Sequence, residues 1–224
     1  MRKWGILISV FYAAIVLGLL VPAGIILAGA TDSLRTLLST DFMAVLKEWI
    51  TWVPIAVVLS GQALLLFLSV DTSQKRLKPR THIAASVTVS SMLFGLLSFA
   101  VILCADAAIR ADSFGDKYLD YLGGPLGFWG ILWALWALVF YLYCRRSAGF
   151  TARVISWLLK GSVLELLVAV PCHVIVRRRG DCSAPAVTSF GIVTGIAVML
   201  LCFGPSVLFL FKKRLDAYSV HKSA

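Results

Sequence analysis

Six stretches of this chain are too apolar, for too long, to belong to a soluble domain. They cover about residues 4–29, 50–70, 84–109, 128–144, 154–176 and 187–211. A helix rises about 1.5 Å per residue, so about 20 residues cross a hydrocarbon core about 30 Å thick. Segment 128–144 lies near the lower limit and the other five clear it. Lipid offers no partner to an exposed backbone N–H or C=O, so a spanning segment satisfies its own groups as a helix. The expected fold is all-α, a polytopic membrane helix bundle of about six transmembrane helices. No internal repeat or low-complexity linker divides residues 1–224, which read as one domain.

Composition and charge support this class. Hydrophobic residues make up 60% of the chain and charged residues only 14%, against about 45–50% apolar in soluble domains. The net charge of +10 does not indicate nucleic acid, because the Lys and Arg lie between apolar runs. They act as topology signals and headgroup contacts. With both termini inside, the inner segments hold 13 Lys and Arg and the outer loops 7. N-in and C-in is therefore the expected orientation, with a bacterial inner membrane as the expected location. Arg177, Arg178 and Arg179 then fall outside, against the rule, where they would meet lipid headgroups or an acidic partner. A re-entrant 154–176 would bring them inside but would move Lys212, Lys213 and Arg214 out. The first apolar stretch is longer than the roughly 7–15 residues of a signal-peptide core, so it is expected to remain as a span.

Two loops carry further signals. Leu34, Leu37, Leu38, Phe42, Val45, Leu46 and Trp49 recur at steps of three and four. They predict an amphipathic helix in the outer interface, anchored by Trp49 and Trp52. Asp112, Asp116 and Asp120 are one turn apart, too dispersed along a helix to converge on one cation. A solvated acidic face is expected there.

The stretch "LELLVAVPCHVIVRRRGDC", Leu164 to Cys182, concentrates the polar chemistry. Trp157, Gly161, Glu165, Val168 and Cys172 are expected to share one helical stripe. An ionisable residue in a span is costly and usually faces the bundle interior or a water-filled path. Glu165 is thus the transport-path candidate; a structural anchor paired with Lys160 or with a polar group on another helix is the plainer alternative, and a metal ligand is the third. Pro171 removes one helix hydrogen bond and frees a carbonyl near residue 167. Cys172, His173 and Cys182 are metal or redox candidates by ligand type. Their spacing argues against it, since adjacent Cys172 and His173 diverge on a helix and no C-x2-C accompanies them. A haem held by two His is not expected, because only His173 lies near a span while His82 and His221 lie in inner segments. A disulfide between Cys172 and Cys182, exchanging with a quinone, is the redox alternative. No cofactor is expected; metal, haem and quinone are the alternatives these residues raise.

Two faces suggest packing. Gly191 and Gly195 form a small-xxx-small face that lets helix backbones approach. Trp129, Trp133, Trp136 and Phe140 make an aromatic ridge, suited to helix packing or to a flat ligand such as a quinone. Gly204-Pro205 is expected to kink or break the last helix. The soluble-enzyme signatures G-x-G-x-x-G, H-E-x-x-H and G-x-S-x-G and the P-loop do not occur. The leading functional expectation is a non-catalytic subunit or scaffold. It would pack in the bilayer with other membrane-protein subunits or with itself. A small transporter or channel using Glu165 comes second, and a metal or redox protein using the Cys-His-Cys cluster third.

Overall fold

A computed structural model of the chain describes residues 2–29, 47, 49–71, 79–110, 124–144, 150–180 and 184–222. Helix α1 (Arg2–Ile15) passes through a π-helical turn, Val16–Leu20, into α2 (Val21–Leu27). Then follow α3 (Trp49–Asp71), α4 (Pro79–Arg110), α5 (Gly124–Cys144), α6 (Phe150–Arg179) and α7 (Ala184–Lys222). The π turn has a local cause. Pro22 has no N–H to donate to the preceding turn, and the Val21 N–H reaches back five residues to the Val16 carbonyl.

Five helices among the described residues are long and apolar enough to cross a membrane: Ile6–Leu27, Ala84–Arg110, Gly124–Leu142, Arg153–Arg179 and Ala184–Phe203. They make this chain an all-helical bundle suited to membrane integration. Helix α3 runs 23 residues, but its described apolar stretch, Trp52–Leu65, is shorter. The fourth span begins at Gly124 rather than 128, which lengthens the segment that looked marginal. Helix α6 is one continuous helix of 30 residues through Pro171, not a re-entrant pair. Helix α7 also continues, through Gly204 and Pro205 to Lys222, so of the expected kink or break there the break does not occur. One proline costs one hydrogen bond, and the remaining bonds of a long helix hold it together. The expected amphipathic helix ahead of Trp49, Asp112, Asp116, Asp120 and Cys182 lie outside the described residues.

Helices α4, α6 and α7 form the centre, with α5 packed on α4, α3 on α4, and α1 and α2 on α3 and α7. The ends give the directions. The Arg179 Nη1 donates to the Ala108 carbonyl at 2.6 Å, and the Arg177 guanidinium lies against Gly29. The C-terminal ends of α2, α4 and α6 therefore meet, and α7 starts four residues beyond Gly180. Gly29 and Gly180 both have positive φ, +74° and +75°, the left-handed turn that ends a helix without a Cβ clash.

The main core lies in the half of the bundle away from that arginine-bearing end. Leu93 of α4, Leu158 of α6, and Val198 and Leu201 of α7 are closed to solvent there. Tyr12 adds a polar tie, its hydroxyl donating to the Ala197 carbonyl at 2.6 Å. Nearer the arginines the core changes character to Cys104, Ala107, Ala108, Ala169, Cys172 and Ala184. Outward faces stay apolar: Leu164, Leu167, Val170 and Val174 of α6, and Ile131, Leu135, Leu138 and Leu142 of α5. Such a surface suits acyl chains.

Candidate functional site

The buried stripe of α6 is Val154, Leu158, Ser162, Glu165, Ala169, Cys172 and Val176, at the three- and four-residue steps of one helix face. It is rotated from the expected stripe. Trp157, Gly161 and Val168 are only half-buried, at its edge. Glu165 is 0% exposed and points at α7. Lys160 is exposed on another face of the helix, and the polar group that meets Glu165 is Thr194 on the neighbouring helix.

That contact is specific. The Thr194 Oγ1 lies 2.9 Å from Glu165 Oε1, and also 2.9 Å from the carbonyls of Phe190 and Gly191 on its own helix. One hydroxyl has one hydrogen and three acceptor oxygens around it. The two carbonyls cannot donate, so only the carboxyl can supply a second hydrogen. With a proton on Glu165, the acid donates to Thr194 Oγ1 and Thr194 donates to a carbonyl. The other carboxyl oxygen, Oε2, is buried without a partner and faces Gly195, where a Cβ would lie 3.0 Å away. Gly195 is what lets the carboxyl fit against α7.

Two turns further along α6 the arrangement repeats. The His173 Nδ1 and Thr188 Oγ1 are 2.8 Å apart, both buried. The Thr188 Oγ1 lies 3.2 Å from the carbonyls of Ala184 and Pro185, again three and four residues back on α7. The same count applies. With a proton on Nδ1, the imidazole donates to Thr188, Thr188 gives its hydrogen to its own helix, and Nε2 is left to accept.

Between the two pairs the helices come close. A Cβ at Gly191 would fall on the Cys104 sulfur, and Ala169 lies 3.4 Å from the same point. The Cys104 thiol faces the Val187 carbonyl at 3.9 Å. Cys104, Cys172 and Cys202 are buried and form no disulfide. Among the described residues no three His, Cys, Asp or Glu side chains gather as a metal site. Cys172 packs with Ala169, Ala108 and Ile192, while the neighbouring His173 turns to Thr188. Only two of the three metal or redox candidates are described, and their side chains part.

The other expected faces are occupied from within the chain. Trp136 donates its indole N–H to Ser98 Oγ at 2.8 Å. Its ring centroid is 4.5 Å from that of Phe94, and Phe140 lies 5.5 Å from Phe94 and 6.3 Å from Trp157. Trp133 donates to the Thr88 carbonyl at 3.3 Å and stacks on Trp129. The ridge thus joins α5 to α4 and α6. Gly191 and Gly195 meet α4 and α6. Arg177, Arg178 and Arg179 are exposed, and Arg179 also caps α4, a role the sequence does not reveal.

Thr188 and Thr194 were legible only as small residues beside the glycines, and Cys104 only as a cysteine near the same end. The usable signal was a pair of hydroxyls on the glycine face of one span, opposite a span carrying a carboxyl and an imidazole. No protein-family model, curated protein or solved structure matches this chain.

Proposed function

We propose that this chain is a small six-crossing membrane transport protein in which Glu165 binds and releases a proton against Thr194. The observation that carries the reading is a fully buried carboxyl with one oxygen on a hydroxyl that lies equally close to two backbone carbonyls of its own helix. Its second oxygen has no partner. Buried polar atoms in folded proteins are nearly always satisfied, and an exception in a membrane span points to a working group. The sixth crossing is α3, whose 23 residues are long enough by backbone. The Lys and Arg balance supports termini on the inner side, in a bacterial inner membrane.

Transport is preferred to a scaffold for a physical reason. The glycine face and most of the aromatic ridge are consumed inside the chain and leave little of either for a partner. The scaffold or subunit reading retains one support, the apolar outer face of α5 from Ile131 to Leu142, which another membrane subunit could cover. Neither reading requires a metal, haem or quinone.

The test is proton flux into vesicles holding a pH-sensitive dye, with the purified chain reconstituted and a membrane potential imposed. Wild type is expected to acidify the lumen. Glu165→Gln, which keeps the size of the side chain and its hydrogen bond to Thr194, is expected to reduce flux to the protein-free background at equal insertion. Flux unchanged by that substitution rules the reading out.

A further inference from the structure

The two threonine pairs on α7 are built alike, and the seam between α6 and α7 is lopsided about the first of them. On the side of Glu165 away from the arginines, the seam is filled by Leu158, Val198 and Leu201, each at most 1% exposed. On that side the Ser162 hydroxyl is turned to the Leu159 carbonyl of its own helix at 2.9 Å, and the Tyr12 hydroxyl to the Ala197 carbonyl. On the arginine side the seam holds Ala169, Cys172, Gly191 and Thr188, with Cys104 of α4 against Gly191. It ends at His173, beside Arg177 and the surface.

We infer that Glu165 exchanges its proton with the membrane face that carries Arg177, Arg178 and Arg179, and that His173 is the relay residue on that route. The inference rests on the reading of Glu165 as a proton-binding group and adds the side of access and a second residue. Imidazole suits the task because it can take a proton on one ring nitrogen and give one up from the other. Its Nδ1 is held on Thr188, which leaves Nε2 to accept from outside. In the exchange reaction each proton that arrives at Glu165 from this face replaces one that leaves by it, so no other reactant is needed; net flux adds release of the Glu165 proton to the opposite face.

The titratable groups facing this half of the seam come from two helices. Helix α6 contributes Glu165, Cys172, His173 and Arg177, one turn beyond His173. Helix α4 contributes Cys104, whose sulfur lies against Gly191. Helix α7 contributes hydroxyls, Thr188 and Thr194. On the opposite side of Glu165 the described titratable groups are Tyr12 of α1, its hydroxyl given to the Ala197 carbonyl, and Cys202, beyond Leu201. The hydroxyl and imidazole groups of the α6–α7 pairs therefore continue from Glu165 toward the arginines.

The experiment is hydrogen–deuterium exchange of the carboxyl, followed by infrared spectroscopy of the whole chain in lipid bilayers. The carbonyl band of the protonated acid is assigned by its loss in Glu165→Gln, and its shift is timed after transfer to deuterated buffer. His173→Gln retains a side-chain partner for Thr188 but cannot relay a proton. It is expected to keep the band and slow its exchange about 100-fold, the lower end of what a positioned acid–base group contributes. Thr188→Val, a second variant in case the first does not fold, is expected to slow it in the same direction. Ser162→Ala, on the far side, is expected to leave the rate unchanged. Exchange unaffected by both His173→Gln and Thr188→Val, or slowed by Ser162→Ala instead, overturns this route while leaving Glu165 as the proton site. No assignable band in wild type overturns the proton site and the route together.

Discussion

The seam between α6 and α7 is held by two different kinds of chemistry, and Glu165 sits where they meet. Away from the arginines, Leu158, Val198 and Leu201 interlock with Leu93 and Leu97 of α4. Toward them, the same helices approach over Gly191, Gly195 and Ala169 and are joined by hydroxyls on Glu165 and His173. In lipid there is little hydrophobic gain from burying a leucine against another helix, since acyl chains are as apolar as leucine. The large-residue half is held by dispersion and shape, which favour one fixed packing. The small-residue half is held by close backbone approach and by two hydrogen bonds that involve titratable groups. Only that half can change its bonding when a proton comes or goes.

The comparison can be broken from either side. The largest effect on the fold is expected in the apolar half, where Leu158→Ala should cost about 2–5 kcal/mol, as for buried leucines generally. Chemical or thermal unfolding in detergent reads it, and proton flux per folded molecule should remain. If flux instead falls as far as in Glu165→Gln, the two halves are not functionally distinct. A smaller cost is expected for Gly191→Val, whose Cβ meets Cys104 and Ala169. Overpacking of this kind costs about 1–3 kcal/mol, and here it should lower both unfolding midpoint and flux, because it wedges the half that must rearrange. Retained flux would show that close approach at Gly191 is dispensable. The smallest cost to the fold is expected for Thr194→Val, about 0.6–2 kcal/mol by the usual worth of a hydrogen bond between membrane helices. Its sharper signature is spectroscopic: the infrared carbonyl band of Glu165 should shift on losing Thr194. An unmoved band would mean that the contact does not hold the proton.

Much of this was legible before any coordinates, for identifiable reasons. Spans are written in long apolar runs, and the costly residue among them, Glu165, stands out by type alone. Gly191 and Gly195 likewise announce a close approach, although the helices that approach are α4 and α6 of the same chain. What the sequence hides is rotation and partnership. A stripe drawn through Gly161, Glu165 and Val168 lies slightly off the buried face, since steps of three and four fit several neighbouring stripes equally well. Thr194 is an unremarkable hydroxyl until α7 is known to run antiparallel beside α6. Pro171 reads as a lost hydrogen bond within a span and Pro205 as a kink or break, and the helices pass through both positions. The Arg triplet reads as a headgroup signal, while one member caps α4 by a contact 71 residues away in sequence.

The central claim is that Glu165 holds an exchangeable proton between α6 and α7, and the sequence makes it unusually simple to test. The chain contains two glutamates, Glu48 and Glu165. Protein labelled with carbon-13 at the glutamate carboxyl and reconstituted in bilayers should therefore give two carboxyl signals by solid-state magnetic resonance. The account predicts that one of them, absent in Glu165→Gln, has the chemical shift of a protonated acid under the conditions of the flux measurement. If the Glu165 signal sits instead at the carboxylate position, the carboxyl does not hold the proton and the account is wrong.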